Sequence, residues 1–450
     1  ALKWVVSENG LRYQFTLRDD VRFSSGRKVT ATDFKYSFER VLDPETRSPN
    51  TWVFDKVYGA EAFLNGEADD VEGIRVVDDY TIEIRLRKPF TPFLGLLTMP
   101  AAYVVPLEEV LHQGQDFSSR PVGTGPFKLA EWLPHRHLRL ERSMGYFGER
   151  AKVPGIIYRV IPEELTAVAE FETGNLDVLT IPNSAYSRYI GNEKWEGLIL
   201  SIKGTNTYYI GLNSSRPPFN DPELRRAVNY AVDRARILRT LYEGKGRLSS
   251  GPVPDILRDW PDPDGYEYDP ERARELISSG GYEGLKVKYY IAAEYQISVD
   301  IAEVVQSYLK DAGLLVEIRQ LEWSAFKEAV NKGEADMFWL SWWADYPDPE
   351  NFLFPLFHSQ NFGSGGNRAR YSNQEVDKLV ELGQHAATLE QRNHWYSQAE
   401  EIIVQDAPWV FFWHRTDFVV RQPWVENYRI FPVYSMEKGI NITLTDDLRG

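Results

Sequence analysis

Residues 338–352 read FWLSWWADYPDPENF, the stretch of this chain in which residue types are set most closely for chemistry. A carboxylate, Asp345, stands among Trp342, Trp343 and Tyr346, and Pro347 and Pro349 follow. Flat indole faces beside a carboxylate strip water from it, so it would pair strongly with an ammonium group through charge-assisted hydrogen bonds. The prolines turn the chain just after an apolar run. A strand that ends in such a turn presents its last residues where open α/β sheets bind ligands. The bland alternative is a turn aspartate bonded to its own backbone and followed by packing aromatics.

Other chemistries find little support. His135 and His137 form an HxH pair that would share one face of a strand, but two ligands without a third do not hold a metal. His358 and His414 read as satisfied groups of surface or cleft. There is no GxSxG and no HExxH, and SxxK, at Ser25–Lys28 and Ser324–Lys327, lacks the companions a nucleophile needs. The acid pairs Glu163-Glu164 and Glu400-Glu401 could suggest glycoside hydrolysis, but neighbours on a helix point to different faces and are usually solvated. The turn from Gly123 to Phe127 has the glycines of a phosphate loop without its lysine or helix. With no cysteine, disulfides, thiolate sites and thiol nucleophiles are excluded. No catalytic residue, metal or cofactor is expected.

The bulk composition narrows the partners. A net charge of −15 argues against nucleic acid and against anionic lipid headgroups. Aromatics reach 14%, with 13 Trp and 25 Tyr, which fits a large aromatic core or a cleft lined with flat side chains. No apolar run approaches the ~18 residues of a membrane span. At 450 residues the chain exceeds one core, so two or three domains are expected.

These residues must be positioned by an α/β framework. Residues 11–18 alternate large and polar and predict a strand; 71–87 predict a hairpin turning at Asp78-Asp79. Thr30 and Asp33 have the spacing of a capping box ahead of a helix through Phe34, Phe38 and Val41. Residues 128–133 and 137–142 predict a strand pair, and 164–173 a helix stopped by Gly174. Asp221, with Pro222 after it, predicts the cap of one long helix through Val228, Ala231, Ile237 and Leu241. Residues 244–269, rich in Pro, Gly and Asp, predict a long loop. Helices over 270–279, 299–312 and 324–332 then alternate with strands over 285–292, 314–321 and 335–341, which predicts a largely parallel sheet. Two amphipathic helices, 374–387 and 389–405, precede a final apolar strand over 409–414.

Six blocks, in order, resemble the extracellular solute-binding proteins of peptide and nickel ABC importers, the oligopeptide- and dipeptide-binding family. They are residues 13–40, the GTGPF turn at 123–127 with Glu131-Trp132, FETGNLDV at 171–178, residues 211–233, WWADYPDPENFL at 342–353, and residues 371–401. The resemblance implies an α/β fold of two lobes joined by a hinge, the type II periplasmic-binding-protein fold with an extra domain. It maps the extra domain to 1–105, domain I to 106–203 with a return at 415–450, and domain III to 204–414. Family members begin with a signal peptide and a further segment ending in a block like LAESW. Ala1-Leu2-Lys3-Trp4 resembles the end of that block, so the N-terminal part is expected to be missing.

Carried over residue by residue, the resemblance places Asp345 on the aspartate that pairs with a peptide's α-ammonium and Trp342 beside it. Ser341 and Trp343 fall where backbone groups continue the ligand as an added strand. Trp323 falls on a tryptophan of a side-chain pocket, Tyr209 on a cleft tyrosine near the first crossover, and Trp413 near the second crossover; Tyr346 joins this set from the local pattern alone, as a flank of the aspartate. The arginine with which dipeptide-type members bind the ligand's carboxylate has no counterpart in residues 290–296, which leaves longer peptides open. The implied role is capture of peptides in an interdomain cleft outside the cytoplasm, by a monomer that is free in the periplasm or lipid-anchored, and delivery to an ABC permease and ATPase. An oligosaccharide, nickel or a metallophore in the same transport role, or a glycoside hydrolase, are the alternatives.

Overall fold

The computed structural model describes residues 1–433 and 439–445. The chain separates into two compact units: residues 1–200 with 419–450, and residues 201–418. The chain therefore passes from one unit to the other at 200/201 and back at 418/419.

The first unit holds a four-stranded antiparallel sheet in the order Lys3–Val6, Arg12–Thr16, Thr81–Arg85, Ile74–Asp78. Its hairpin turns where Asp78 accepts the Tyr80 N–H at 2.9 Å, an Asx turn that the paired aspartates foretold. Helix Ala31–Leu42 buries Phe38, Val41 and Leu42. Asp33 closes its first turn by accepting the Thr30 N–H at 2.8 Å. Strands Phe127–Leu133, His137–Arg142 and Gly155–Arg159 form a second, three-stranded sheet. The HxH pair is split there: His135 sits in the turn at φ +62°, and only His137 lies on the strand, its Nε2 2.8 Å from Glu131. Helix Glu164–Glu172 ends before Gly174, whose φ of +81° costs a glycine little.

The second unit is built on one mixed sheet. Lys286–Ala292 runs parallel to both Leu315–Leu321 and Met337–Trp343, as alternating strands and helices require. Asn206–Leu212, however, is antiparallel to both Met337–Trp343 and Trp409–Arg421, and Gly246–Leu248 is antiparallel to the latter. The expected largely parallel sheet is thus only half parallel, because strands far apart in sequence enter from the two chain crossings. The single helix expected after Asp221 is two, Pro222–Ala231 and Arg234–Leu241. Val232 is extended and Asp233 caps the second helix by accepting the Arg236 N–H at 2.8 Å. The loop over 244–269 contains the short strand just named and is tied to helix Leu389–Asp406 by Glu400. Glu400 accepts from Val253 N at 3.1 Å and Trp260 Nε1 at 2.8 Å and faces Arg258, so this acid, expected in solvent, is fully buried.

Strand Met337–Trp343 shows how the sheet divides two cores. Met337 and Trp339 enter the core formed with helices Pro222–Ala231 and Gln296–Ala312. Phe338 and Leu340 enter the core formed with helices Trp323–Lys332, Glu350–Phe357 and Leu389–Asp406. The alternation is the period-two geometry of a strand buried on both faces.

Candidate binding site

The apolar strand runs to Trp343, two residues past the expected end, so Ser341, Trp342 and Trp343 are strand residues and the turn begins at Ala344. All three are half-buried, unlike the four fully buried residues before them. Alternation of backbone groups fixes where their N–H and C=O point. The Ala344 N–H donates to Thr205 O at 2.9 Å, while the carbonyl of Asn206 turns the other way and accepts from His414 Nδ1 at 2.8 Å. Ser341 and Trp343 therefore direct their backbone groups away from Asn206–Leu212, towards the side of Lys286–Ala292. That neighbour's register with this strand ends at Phe338. Past it the edge carries no paired strand among the described residues, which is the geometry onto which an extended peptide adds.

Asp345 stands at the end of this free edge. Its N–H donates to Asn351 Oδ1 at 2.9 Å, and Asn351 Nδ2 reaches its Oδ2 at 3.4 Å. The same Asn351 Oδ1 also accepts from Trp342 Nε1 at 3.3 Å, so one buried amide positions both the carboxylate and the indole. Asp345 is accessible to water, yet protein crowds round its carboxylate: the loss of solvation raises its pKa above the ordinary aspartate value, with the Asn351 hydrogen bond opposing. Accessibility decides whether a ligand can arrive and crowding what its charge then meets, so the two descriptions fit one recess. Among the described residues Asp345 forms no ion pair.

The turn beneath it is braced from inside. Tyr346 is buried and its hydroxyl bonds Glu350, which also accepts from Gln384 Nε2 at 2.6 Å. Asp348 pairs with Arg392. Tyr346 is therefore part of the support under the aspartate. Trp343 lies beneath the Arg415 guanidinium, 5.4 Å from its ring centroid, and Arg415 pairs with Asp417 at 2.5 Å.

The remaining expected residues divide. Trp323, at the start of helix Trp323–Lys332, is exposed; its N–H donates to Glu294 at 2.7 Å and its ring meets Tyr295 edge-on at 6.1 Å. Tyr209 is fully buried, stacked on Trp409 at 3.4 Å, an arrangement worth about 0.5–1.5 kcal/mol beyond area burial. Its pKa is pushed up to about 12 by burial, with nearby Arg368 opposing. Trp413 is also fully buried, but among Tyr208, Tyr242 and Trp339 in the core on the opposite face of the sheet. The structure thus brings Ser341, Trp342, Trp343 and Asp345 together on one edge, sets Trp323 and Tyr209 against the same core face as Trp342, and leaves Trp413 behind the sheet.

Sequence reasoning missed Asn351, whose only signal was its place in the PENF run. An open recess of about 480 Å³ in the same unit is lined by Trp260, Pro263, Leu379 and Ile402 and by none of these residues, so it is a separate surface feature. No group of three or more His, Asp or Glu among the described residues is arranged to hold a metal ion. Among those residues no helix is long and apolar enough to cross a membrane.

Comparison with known proteins places the chain in a family and a fold. The family model for bacterial extracellular solute-binding proteins, family 5 (middle), matches residues 1–364. Heme-binding protein A of Haemophilus influenzae is 30% identical over 98% of this chain and 83% of its own length. Probable di/tripeptide-binding protein 5 of Pseudomonas aeruginosa is 28% identical over 96% of this chain and 84% of its own. The periplasmic binding protein DppA of Helicobacter pylori, solved with the peptide STSA, superposes with a TM-score of 0.83 at 27% identity, covering 99% of this chain and 88% of that one. The fold is the α/β fold of type II periplasmic binding proteins.

Proposed function

The chain belongs to the bacterial extracellular solute-binding proteins, family 5, and on that premise we propose that it captures peptides and hands them to the membrane subunits of an ABC importer. Binding without chemistry is the reading that suits a site of one carboxylate, indoles and a free strand edge. In this reading the peptide main chain adds to the edge at Ser341 and Trp343, and its α-ammonium pairs with Asp345 beside Trp342. Trp323 lines a pocket for a side chain. Tyr209, Tyr346 and Trp413 act from behind, by holding the sheet and the turn in place. The proposal carries with it a subdivision of the chain at 1–105, 106–203 with 415–450, and 204–414. It also takes the protein to act as a monomer outside the cytoplasm, free or lipid-anchored, with no nucleic-acid partner.

The observation that carries the reading is the accessible, poorly solvated Asp345, without an ion pair among the described residues, at the end of the strand edge left open past Phe338. A carboxylate in that setting is relieved by an incoming ammonium. Calorimetry with trialanine and N-acetyl-trialanine tests it. The acetylated peptide, which has no ammonium to offer, should bind at least about tenfold more weakly, a difference of about 1.4 kcal/mol. Equal affinities would remove the basis of the peptide reading.

A further inference from the structure

Helix Trp323–Lys332 sets Lys327 and Asn331 one turn apart on a common face. Asn331 Oδ1 accepts from Arg368 Nε at 3.0 Å, so the side chains of Lys327 and Arg368 converge on that face. The Lys327 ammonium, half-buried, lies 5.3 Å from the centroid of the Trp323 ring. Arg368 is buried, and its hydrogen bonds run to neutral oxygens, of Asn331 at 3.0 Å and of Gly366 at 3.4 Å. No carboxylate among the described residues comes within ion-pair distance of either cation; neighbouring Glu328 is taken by Lys332 at 2.5 Å. Two unneutralised cations drawn together beside an exposed tryptophan repel each other unless an anion sits between them. Loss of solvation together with Arg368 lowers the Lys327 pKa to about 8, in keeping with that repulsion.

We propose that Lys327 and Arg368 form a carboxylate-binding subsite beside Trp323, so that the captured peptide is held by its negative as well as its positive group. The subsite rests on the peptide reading above and narrows its ligand class. It also supplies the cation that residues 290–296 lack. The carboxylate comes from the peptide's C-terminus or from an acidic side chain, and the two are separable.

The test is calorimetry of the whole protein with trialanine, trialanine amide, Ala-Glu-Ala amide and Ala-Gln-Ala amide. The first pair differs in the C-terminal charge and the second in a side-chain charge. In one pair, or both, the charged peptide should bind about tenfold more tightly, as expected for a partly desolvated ion pair. Lys327→Met should bring that ratio to within about twofold while leaving the affinity of the peptides that lack the carboxylate unchanged, and Lys327→Arg should retain it. The pair that responds identifies the source of the carboxylate. Ratios near one in both pairs, or ratios that Lys327→Met does not alter, overturn the subsite but leave peptide capture standing. If none of the four peptides binds, peptide capture fails and the subsite falls with it.

Discussion

Replacing Asp345 by asparagine keeps the shape of the side chain and removes only its charge. A unit charge pair about 4 Å apart is worth about 4 kcal/mol at an effective dielectric of 20 and about 1 kcal/mol in water. Asp345 lies between these limits, open to solvent on one side and crowded by protein on the other. Asp345→Asn should therefore weaken a peptide with a free amino terminus by about 2–3 kcal/mol, roughly 30- to 150-fold. An N-acetylated peptide should lose almost nothing, so the two changes form a cycle whose coupling energy is the ion pair itself. The pH profile gives an independent check. The pKa of Asp345 is raised in the unliganded protein, and an ammonium favours the charged form, so binding should release protons near that raised pKa. Wild-type affinity should fall on acidification, beginning above the ordinary aspartate range, and the asparagine variant should show a flat profile there. An unaltered dissociation constant in the variant, or an equal loss with the acetylated peptide, would refute the argument from charge.

Three more outcomes follow from the same structure. Asn351→Ala frees the N–H of Asp345 and the indole of Trp342 together, and should weaken peptide binding by about tenfold; in the Asp345→Asn background the further loss should be small, because both act on one contact. His414 is buried with its pKa lowered to about 4 from 6.5, chiefly by desolvation, so its neutral form favours folding. Stability from this group is complete above pH 6.5 and is lost as pH falls towards 4, by up to about 3 kcal/mol, a slope that urea unfolding should find reduced in His414→Gln. Glu400→Ala leaves the Val253 N–H and the Trp260 indole N–H without their acceptor and Arg258 with Asp262 as its one remaining carboxylate among the described residues, and should cost about 2–4 kcal/mol in urea unfolding, more than Glu401→Ala at the half-buried neighbouring position.

Where a feature was legible in the sequence, its cause was local. The helix over Pro270–Ser279 and the strand pair at 127–133 and 137–142 follow from caps, turns and periodicity within a few residues. The break at Val232-Asp233 was also local, but an aspartate inside an apolar pattern reads equally well as a solvent-facing helix residue, and only the cap bond to Arg236 distinguishes the two. The mixed sheet was not legible, because pairing of Asn206–Leu212 with Trp409–Arg421 joins segments at opposite ends of the second unit. The recess shows the same division. Asp345 and its indoles are contiguous and could be picked out, whereas Lys327 and Arg368 meet only after the chain returns round Asn331. Trp413, chosen for its nearness to a crossing, is turned to the other face by the register shift between Tyr208 and Tyr209.

Charge pairing elsewhere in the chain gives these exceptions their meaning. Several buried or half-buried ionised groups are matched at close range, Asp33 by Arg27, Asp348 by Arg392, Glu400 by Arg258 and Asp417 by Arg415, while Arg225 and Arg234 are enclosed by backbone carbonyls. A carboxylate left alone among indoles, and two cations left alone beside an exposed tryptophan, cost folding free energy that a neighbouring counter-ion could have removed. Unmatched charges of opposite sign on one unit are thus what a sequence keeps when the missing partner arrives from solution, and a zwitterionic peptide carries both of the charges required.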